Sequence, residues 1–310
     1  MCRCRPISNE VAVAELQSTP FAIDQCRRFY AEEIRAVAGL DSPVLVAAFA
    51  RVPRERFLGL PPWRFSSGSS LRPATYRSTN QVRDLYHDVF VALKGEPLLN
   101  SSQPSVTAKL IAALDLSPGK RILHVGCGTG YYSAILSEMV GHRGTVIAIE
   151  IDPDLAARAS VNLAGYPNVL VLNQGGATIV PEAADAILVN SGVTHPAAAW
   201  LDGLGEAGVL AVPFLVGRSP ASNEAMVFRI VRQGRHFAAE PVSLLSIFPS
   251  NSLRNPAIQS LLNAAFESYS LLRVTSVRRE AHPQSTTCIV HTAGFCLSAE
   301  AVDLLPFLAS

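Results

Sequence analysis

The sequence predicts an α/β fold: a doubly wound, mostly parallel sheet, preceded by helices and followed by an α+β extension. Three observations carry this. Between residues 121 and 213, short apolar runs alternate with helix-like segments, the pattern of a parallel sheet covered on both faces. The first run ends in a glycine-rich turn, "ILHVGCGTGYYSAIL" (122–136). The next run ends in an acidic residue, Glu150 in "VIAIEIDPDL", 20 residues past Gly130.

The elements follow in order. In "PFAIDQCRRFYAEEIRAVA" (20–38), Phe21, Ile23, Cys26, Tyr30, Ile34 and Val37 recur at steps of three and four, so a helix with one apolar face is expected. A second helix, "VLVAAFARV", follows Asp41 and Ser42, either of which can cap it. Gly, Pro and Ser crowd residues 59–80, which read as loop. A short strand is expected at "VFVAL" (89–93) and a helix over 105–116. Then come strand 121–125, helix 130–140, strand 145–149, helix 153–164, strands 169–172 and 185–190, a helix near 197–204 and strand 208–213. Two strands flank Gln233-Gly234, a helix covers 255–267, and strand-like runs follow at 270–279 and 286–292. Three regions result: a helical segment and loop (1–80), a core (81–235) and an extension (236–310).

Composition bounds the function. Hydrophobic residues make up 49% and charged residues 16%, against a usual ~25% charged, so the chain can fill a large core. A net charge of +1 with scattered Lys and Arg implies no nucleic-acid or membrane partner. No apolar run approaches the ~18 residues of a membrane span. The start lacks the apolar core of a secretion signal, so a cytoplasmic location is expected. Apolar runs "LLNAAF" (261–266) and "LLPFL" (304–308) offer a surface for self-association. The C-x-C of Cys2 and Cys4 reads as a loose terminus, and Cys26, Cys288 and Cys296 as small buried residues. The seven histidines show no spacing such as H-x-x-x-H, so no metal is expected.

The turn has Gly126, Gly128 and Gly130, with Tyr131 where a dinucleotide fingerprint needs a further glycine. This G-x-G-x-G form is that of S-adenosylmethionine-dependent methyltransferases, whose cofactor carries no phosphate. Glu150 then stands where a carboxylate accepts from both ribose hydroxyls, with Ile151 beside it. A bare strand-to-helix turn is the competing reading. Cys127 reads as a small turn residue, not a nucleophile. After the fourth strand, "NSGVTHP" (190–196) has no Pro-Pro pair of the kind that meets nucleic-acid amino groups, and no Asp/Asn cluster suits metal-assisted catechol chemistry. A carboxylate acceptor needs neither, being ionised at pH 7 with a pKa near ~4. His195 reads as a helix-start histidine or a base.

Several motifs together resemble the protein-L-isoaspartate O-methyltransferases: "SPVLVAAFARVPRERFLGL" (42–60), "LYHD" (85–88), "NSSQPS" (100–105), the glycine turn followed by Gly-Tyr, and "ADAILVNSG" (184–192). The likeness covers roughly 35–235. It implies a Rossmann-like class I methyltransferase that uses S-adenosyl-L-methionine and esterifies a side-chain carboxylate, isoaspartyl or aspartyl, of a peptide or protein. It implies Ser102 as the active-site serine and Ser101, Tyr86 and Asp88 as substrate-facing residues. For the cofactor it implies Gly126, Cys127, Gly128, Gly130, Glu150, Ile151, Gly175, Gly176 and Asn190. Two departures stand out. The family's acidic residue late in the first strand is His124 here, and its Asp before a Gly after the third strand is Gly175-Gly176. A divergent branch that tailors aspartate in a peptide fits these departures. An inactive binding protein on this fold and a small-molecule carboxyl methyltransferase remain as alternatives.

Overall fold

The computed structural model describes residues 20–67, 75–94, 99–179, 182–217, 223–250 and 252–302. Cys2, Cys4 and "LLPFL" (304–308) lie outside them. Helices α1 (Pro20–Ala38), α2 (Pro43–Arg51) and α3 (Pro104–Ala112) precede the core. The core alternates β5 (Arg121–Val125), α4 (Tyr131–Val140), β6 (Thr145–Glu150), α5 (Pro153–Asn162), β7 (Val169–Asn173), β8 (Ala184–Val189), α6 (Ala198–Gly203) and β9 (Leu204–Leu215). β10 (Glu224–Gln233), β11 (His236–Ser246), α7 (Pro256–Glu267), β12 (Ser276–Arg278), β13 (Cys288–His291) and β14 (Cys296–Ser298) follow.

These strands form one ten-stranded sheet in the order β13-β14-β12-β11-β10-β9-β8-β5-β6-β7. The segment from β9 to β7 is parallel, and the strands beyond β9 are antiparallel. The expected parallel core is therefore present. From β5 the chain first builds outward through β6 and β7, then returns to β8 on the other side. That reversal makes the carboxyl ends of β5, β6 and β8 the crevice where α/β sheets bind ligands.

Alternation along the strands fills two cores. Ile122, Val146, Ala148, Ala186 and Leu188 face α1–α5. Leu123, Val125, Ile149, Ile187 and Val189 face α6 and α7, with Trp200 fully buried among them. Three helices cap themselves: Ser42 Oγ accepts from Leu45 N–H, Asp152 Oδ1 from Asp154 and Leu155 N–H, and Asn255 Oδ1 from Ala257 and Ile258 N–H.

Three expectations need correction. The 59–80 region is not wholly loop: β1 (Trp63–Ser66) and β2 (Arg77–Thr79) join β3 (Phe90–Lys94) and β4 (Leu99–Asn100) in a small antiparallel sheet, order β2-β1-β3-β4. Buried Trp63 and Val91 pack there with Leu58 and Leu85, a non-local pairing that turn composition conceals. The boundary at 235 falls inside the β10–β11 hairpin, so the extension prolongs the central sheet. Finally, Cys288 and Cys296 are not mere apolar filler, because His282 and His291 converge on them.

Candidate active site

The turn after β5 is built by backbone conformations that favour glycine. Gly126, Gly128 and Gly130 have φ of 77°, 58° and 95°. Two of them also crowd out a side chain. A Cβ on Gly126 would lie 3.3 Å from the Asn190 carbonyl oxygen at the end of β8, and one on Gly130 would lie 2.6 Å from Leu163 Cδ1. Both are thus packing glycines: Gly130 lets α4 approach α5, and Gly126 lets the turn approach the end of β8. Cys127 is buried and its N–H, like that of Gly126, is spent on Ile149 O at 2.9 Å. Burial and the neighbouring Glu150 push its thiol pKa up. It shapes the turn with its N–H engaged and its side chain buried.

Glu150 closes β6 beside this turn. Its Oε2 accepts from Gly128 N–H at 2.8 Å and its Oε1 from Asp152 N–H at 3.0 Å. Burial raises its pKa, and these N–H groups oppose the shift. The carboxylate keeps acceptor capacity for a further donor such as a ribose hydroxyl. Ile151 beside it is 63% exposed, an apolar surface suited to a flat ring. The residues present therefore fit a ribose-bearing cofactor. Asn190 Nδ2 reaches Gly126 O at 3.5 Å, and Gly176, close under Val125, receives the Trp200 indole N–H on its carbonyl at 2.7 Å. Across the rim, Lys94 of β3 bonds to Asp152 at 2.9 Å and Asp154 at 2.6 Å, and Leu93 is the nearest side chain over Gly128.

Ser102 has φ 58°, a left-handed conformation that costs a residue with a Cβ about 1–2 kcal/mol. Its N–H is held by Asn100 Oδ1 at 2.9 Å, and its carbonyl receives Tyr132 OH at 3.4 Å. Its Oγ makes no hydrogen bond among the described residues. The strain is thus held by neighbours while the hydroxyl stays free.

The companion residues behave otherwise. Asp88 accepts from Ser105 N–H (2.8 Å), Ser105 Oγ (2.7 Å) and Gln103 Nε2 (2.7 Å). It caps α3 from another loop, since Gln103 at the cap position supplies no side-chain bond. Ser101 is turned inward, accepting from Val91 N–H at 3.0 Å and from Arg54 at 3.3 Å. Tyr86 is 1% exposed, bonded to Glu55 and Arg27 and set edge-on to Tyr30. Asp88 and Ser101 thus hold the Ser102 loop, while Tyr86 is spent on Glu55 and Arg27. The residue that joins them, Arg54, is fully buried. Its guanidinium donates to the carbonyls of Leu85, His87 and Val89 as well as to Ser101. It belongs to the V-P-R-x-x-F motif, whose order was visible but whose target was not. His195 is no base at the crevice. It bonds Thr194 Oγ1 at 3.0 Å and stacks on Phe295, under the C-terminal segment.

The family model "Protein-L-isoaspartate(D-aspartate) O-methyltransferase (PCMT)" matches residues 74–242, more than half of the chain. The chain belongs to this family. It is 33% identical over 184 residues to the protein-L-isoaspartate O-methyltransferase of Thermotoga maritima, covering 57% of this chain and 53% of that one. It is 30% identical over 213 residues to that of Vibrio cholerae serotype O1, covering 68% and 89%. Thus the chain spans about half the length of some curated relatives that it matches and most of another's. A solved protein-L-isoaspartate O-methyltransferase superposes with a TM-score of 0.58 at 25% identity, covering 76% of this chain and 69% of that one. A Plasmodium falciparum structure in complex with S-adenosyl-L-homocysteine (TM-score 0.55, 16% identity, 72% and 97% covered) shares the fold. The chain therefore has the Rossmann-like class I methyltransferase fold.

Against that family, His124 is the departure with physical consequences. It is fully buried, with Nδ1 2.8 Å from Ser133 Oγ of α4 and Nε2 without a partner. Burial lowers its pKa from 6.5 to about 3. The sign follows: between about pH 3 and 6.5 the unfolded chain binds this proton and the folded chain does not, so stability falls as pH drops through that window. The slope approaches ~1.4 kcal/mol per pH unit when a whole proton separates the two states. Denaturant titrations at pH 7 and pH 5 should show this loss, and His124→Gln should remove most of it. Equal acid losses in both proteins would assign the effect to other groups.

Proposed function

We propose that this chain transfers the methyl group of S-adenosyl-L-methionine to a side-chain carboxylate, isoaspartyl or aspartyl, of a peptide or protein. Family membership supports the reaction class. The observation that carries the reading is the free Ser102 hydroxyl, held in a strained conformation on a loop that Arg54 and Asp88 anchor.

The bound cofactor would supply an electrophilic methyl carbon on a sulfonium centre. The protein's part is binding and alignment. Glu150 would accept from the ribose hydroxyls, Ile151 would cover the ring, and the glycine turn would let the cofactor approach the backbone. Ser102 Oγ would donate to one oxygen of the acceptor carboxylate and so hold it for attack on the methyl carbon. No residue has to remove a proton, because a carboxylate with a pKa near ~4 is already ionised. The rate should be flat from about pH 6 to 8 for the same reason.

Labelled methyl from the cofactor should enter isoaspartyl or aspartyl peptides and leave as methanol in mild base. A base-stable product would exclude a carboxylate acceptor. Preference for isoaspartyl over aspartyl in one peptide would assign repair, and the reverse would assign peptide tailoring. Ser102→Ala should lower kcat by roughly tenfold or more through loss of one aligned donor, and should leave cofactor affinity within a few-fold. An unchanged kcat would remove Ser102 from the acceptor site. The second reading, a binding protein without activity, draws on buried, uncharged His124 in place of a carboxylate. Cofactor binding with no transfer to any carboxylate peptide would favour it.

A further inference from the structure

Beyond the matched region, four side chains from the C-terminal extension meet at one point. His282, Cys288, His291 and Cys296 place one ligand-capable atom each within 4.8 Å of one another. The sequence spacing is H-x5-C-x2-H-x4-C, which resembles no short metal motif read as a string. The hairpin makes it a cluster. His291 pairs directly with Cys296 across β13 and β14, so these two side chains share a face. Cys288 lies three residues before His291 and would point to the opposite face of a regular strand. A register shift between Cys288 and Val290 turns it back. Val290 and Leu297 take the other face and are fully buried in the core. The loop before β13 brings His282 over the cluster.

The surroundings prepare these atoms as ligands. His282 Nδ1 lies 2.7 Å from Glu280 O, so Nδ1 carries the proton and Nε2 presents a lone pair. That Nε2 is 3.6 Å from Cys288 Sγ. Four ligands of a tetrahedral zinc ion, with bonds of ~2.3 Å to sulfur and ~2.0–2.1 Å to nitrogen, lie about 3.3–3.8 Å apart. Cys288 Sγ accepts from Ser285 N–H at 3.3 Å, a bond that favours thiolate. His291 Nδ1 is buried with no hydrogen-bond partner, and its ring stands edge-on to His282 at 4.8 Å. A disulfide between the two cysteines would use neither imidazole and would leave the convergence of both histidines without a cause.

We propose that His282, Cys288, His291 and Cys296 bind one zinc ion in a tetrahedral structural site. Two neutral imidazoles and two thiolates fill the coordination sphere, so no position is left for substrate. Binding releases two thiol protons to solvent, and the two thiolate charges neutralise the ion. The site fastens the β13–β14 hairpin and the preceding loop together at the edge of the sheet. From that hairpin, Phe295 stacks on His195 and on Phe214 of β9, so the clamp also braces the segment that follows β8.

The test uses the full-length chain, freed of any histidine tag and purified under reducing conditions with zinc in the growth medium. After dialysis, metal analysis should find about one zinc per chain. Cobalt(II) substitution should give intense visible bands of a tetrahedral ion and a thiolate charge-transfer band in the near ultraviolet. Cys288→Ser and Cys296→Ser should each abolish the charge-transfer spectrum or weaken metal retention at least tenfold. Cys2→Ser/Cys4→Ser should keep both. If the cluster variants fail to fold, a strong chelator on the native chain decides: stripping should lower Tm and expose residues 280–300 to proteolysis, and added zinc should reverse both. Absence of retained zinc together with no cobalt spectrum would overturn the proposal. So would metal held equally well by Cys288→Ser/Cys296→Ser, or two thiols that titrate only after reduction, the mark of a disulfide.

Discussion

Arg54→Ala should lower stability by about 3–5 kcal/mol, the cost of breaking a buried charged hub. At about 2.1 cal/mol/K of unfolding entropy per residue, that corresponds to a fall in Tm of roughly 5–8 °C. The guanidinium is fully buried and donates to three backbone carbonyls and one hydroxyl, from Leu85 to Ser101. It also lies over the rings of Tyr30 and Tyr131 at 5.7 and 5.9 Å. Alanine leaves the carbonyls without donors in a dry interior. Lysine keeps the charge but not the planar fork, so Arg54→Lys should fall between wild type and alanine. The damage should centre on the loop from Leu85 to Ser102. Turnover should therefore suffer more than cofactor affinity in whatever fraction remains folded. Thermal melts of the three proteins check the first part, and the split between kcat and cofactor Kd checks the second. Equal melts for wild type and Arg54→Ala would mean that water replaces the guanidinium, and the hub would be no hub.

Glu150→Ala should weaken cofactor binding at least tenfold. Charge-assisted hydrogen bonds are worth about 1.5–3 kcal/mol each, and the carboxylate is proposed to accept two from ribose. The structure adds a consequence. Glu150 also holds Gly128 N–H and Asp152 N–H, so alanine should loosen the glycine turn and lower Tm by a few degrees even without ligand. Glu150→Gln keeps one acceptor oxygen and should lie between. Calorimetry with S-adenosylhomocysteine and melts without it measure the two effects separately. A large loss of Tm with unchanged affinity would make Glu150 a residue of the turn alone.

What the sequence determined by itself is local and periodic. Apolar alternation from 121 to 213 required a parallel sheet, and the sheet has that core. The glycines after β5 and the acid ending β6 were legible because short-range conformational need and a fixed strand-to-strand spacing leave a mark in the string. Tertiary structure decided everything that depends on residues far apart. The bonds of Asp88 to Gln103 and Ser105 left no mark in the string, because these partners lie across an intervening hairpin. Ser101 and Ser102 are adjacent and look alike. Only the backbone turn at Ser102, with φ 58°, sends one hydroxyl to Arg54 and leaves the other free. His282, Cys288, His291 and Cys296 have no helical or strand period in common. One register shift in β13 and a loop closure bring them together. Periodicity reports which face of an element is buried, whereas a site is a meeting of faces, and register and topology decide which faces meet.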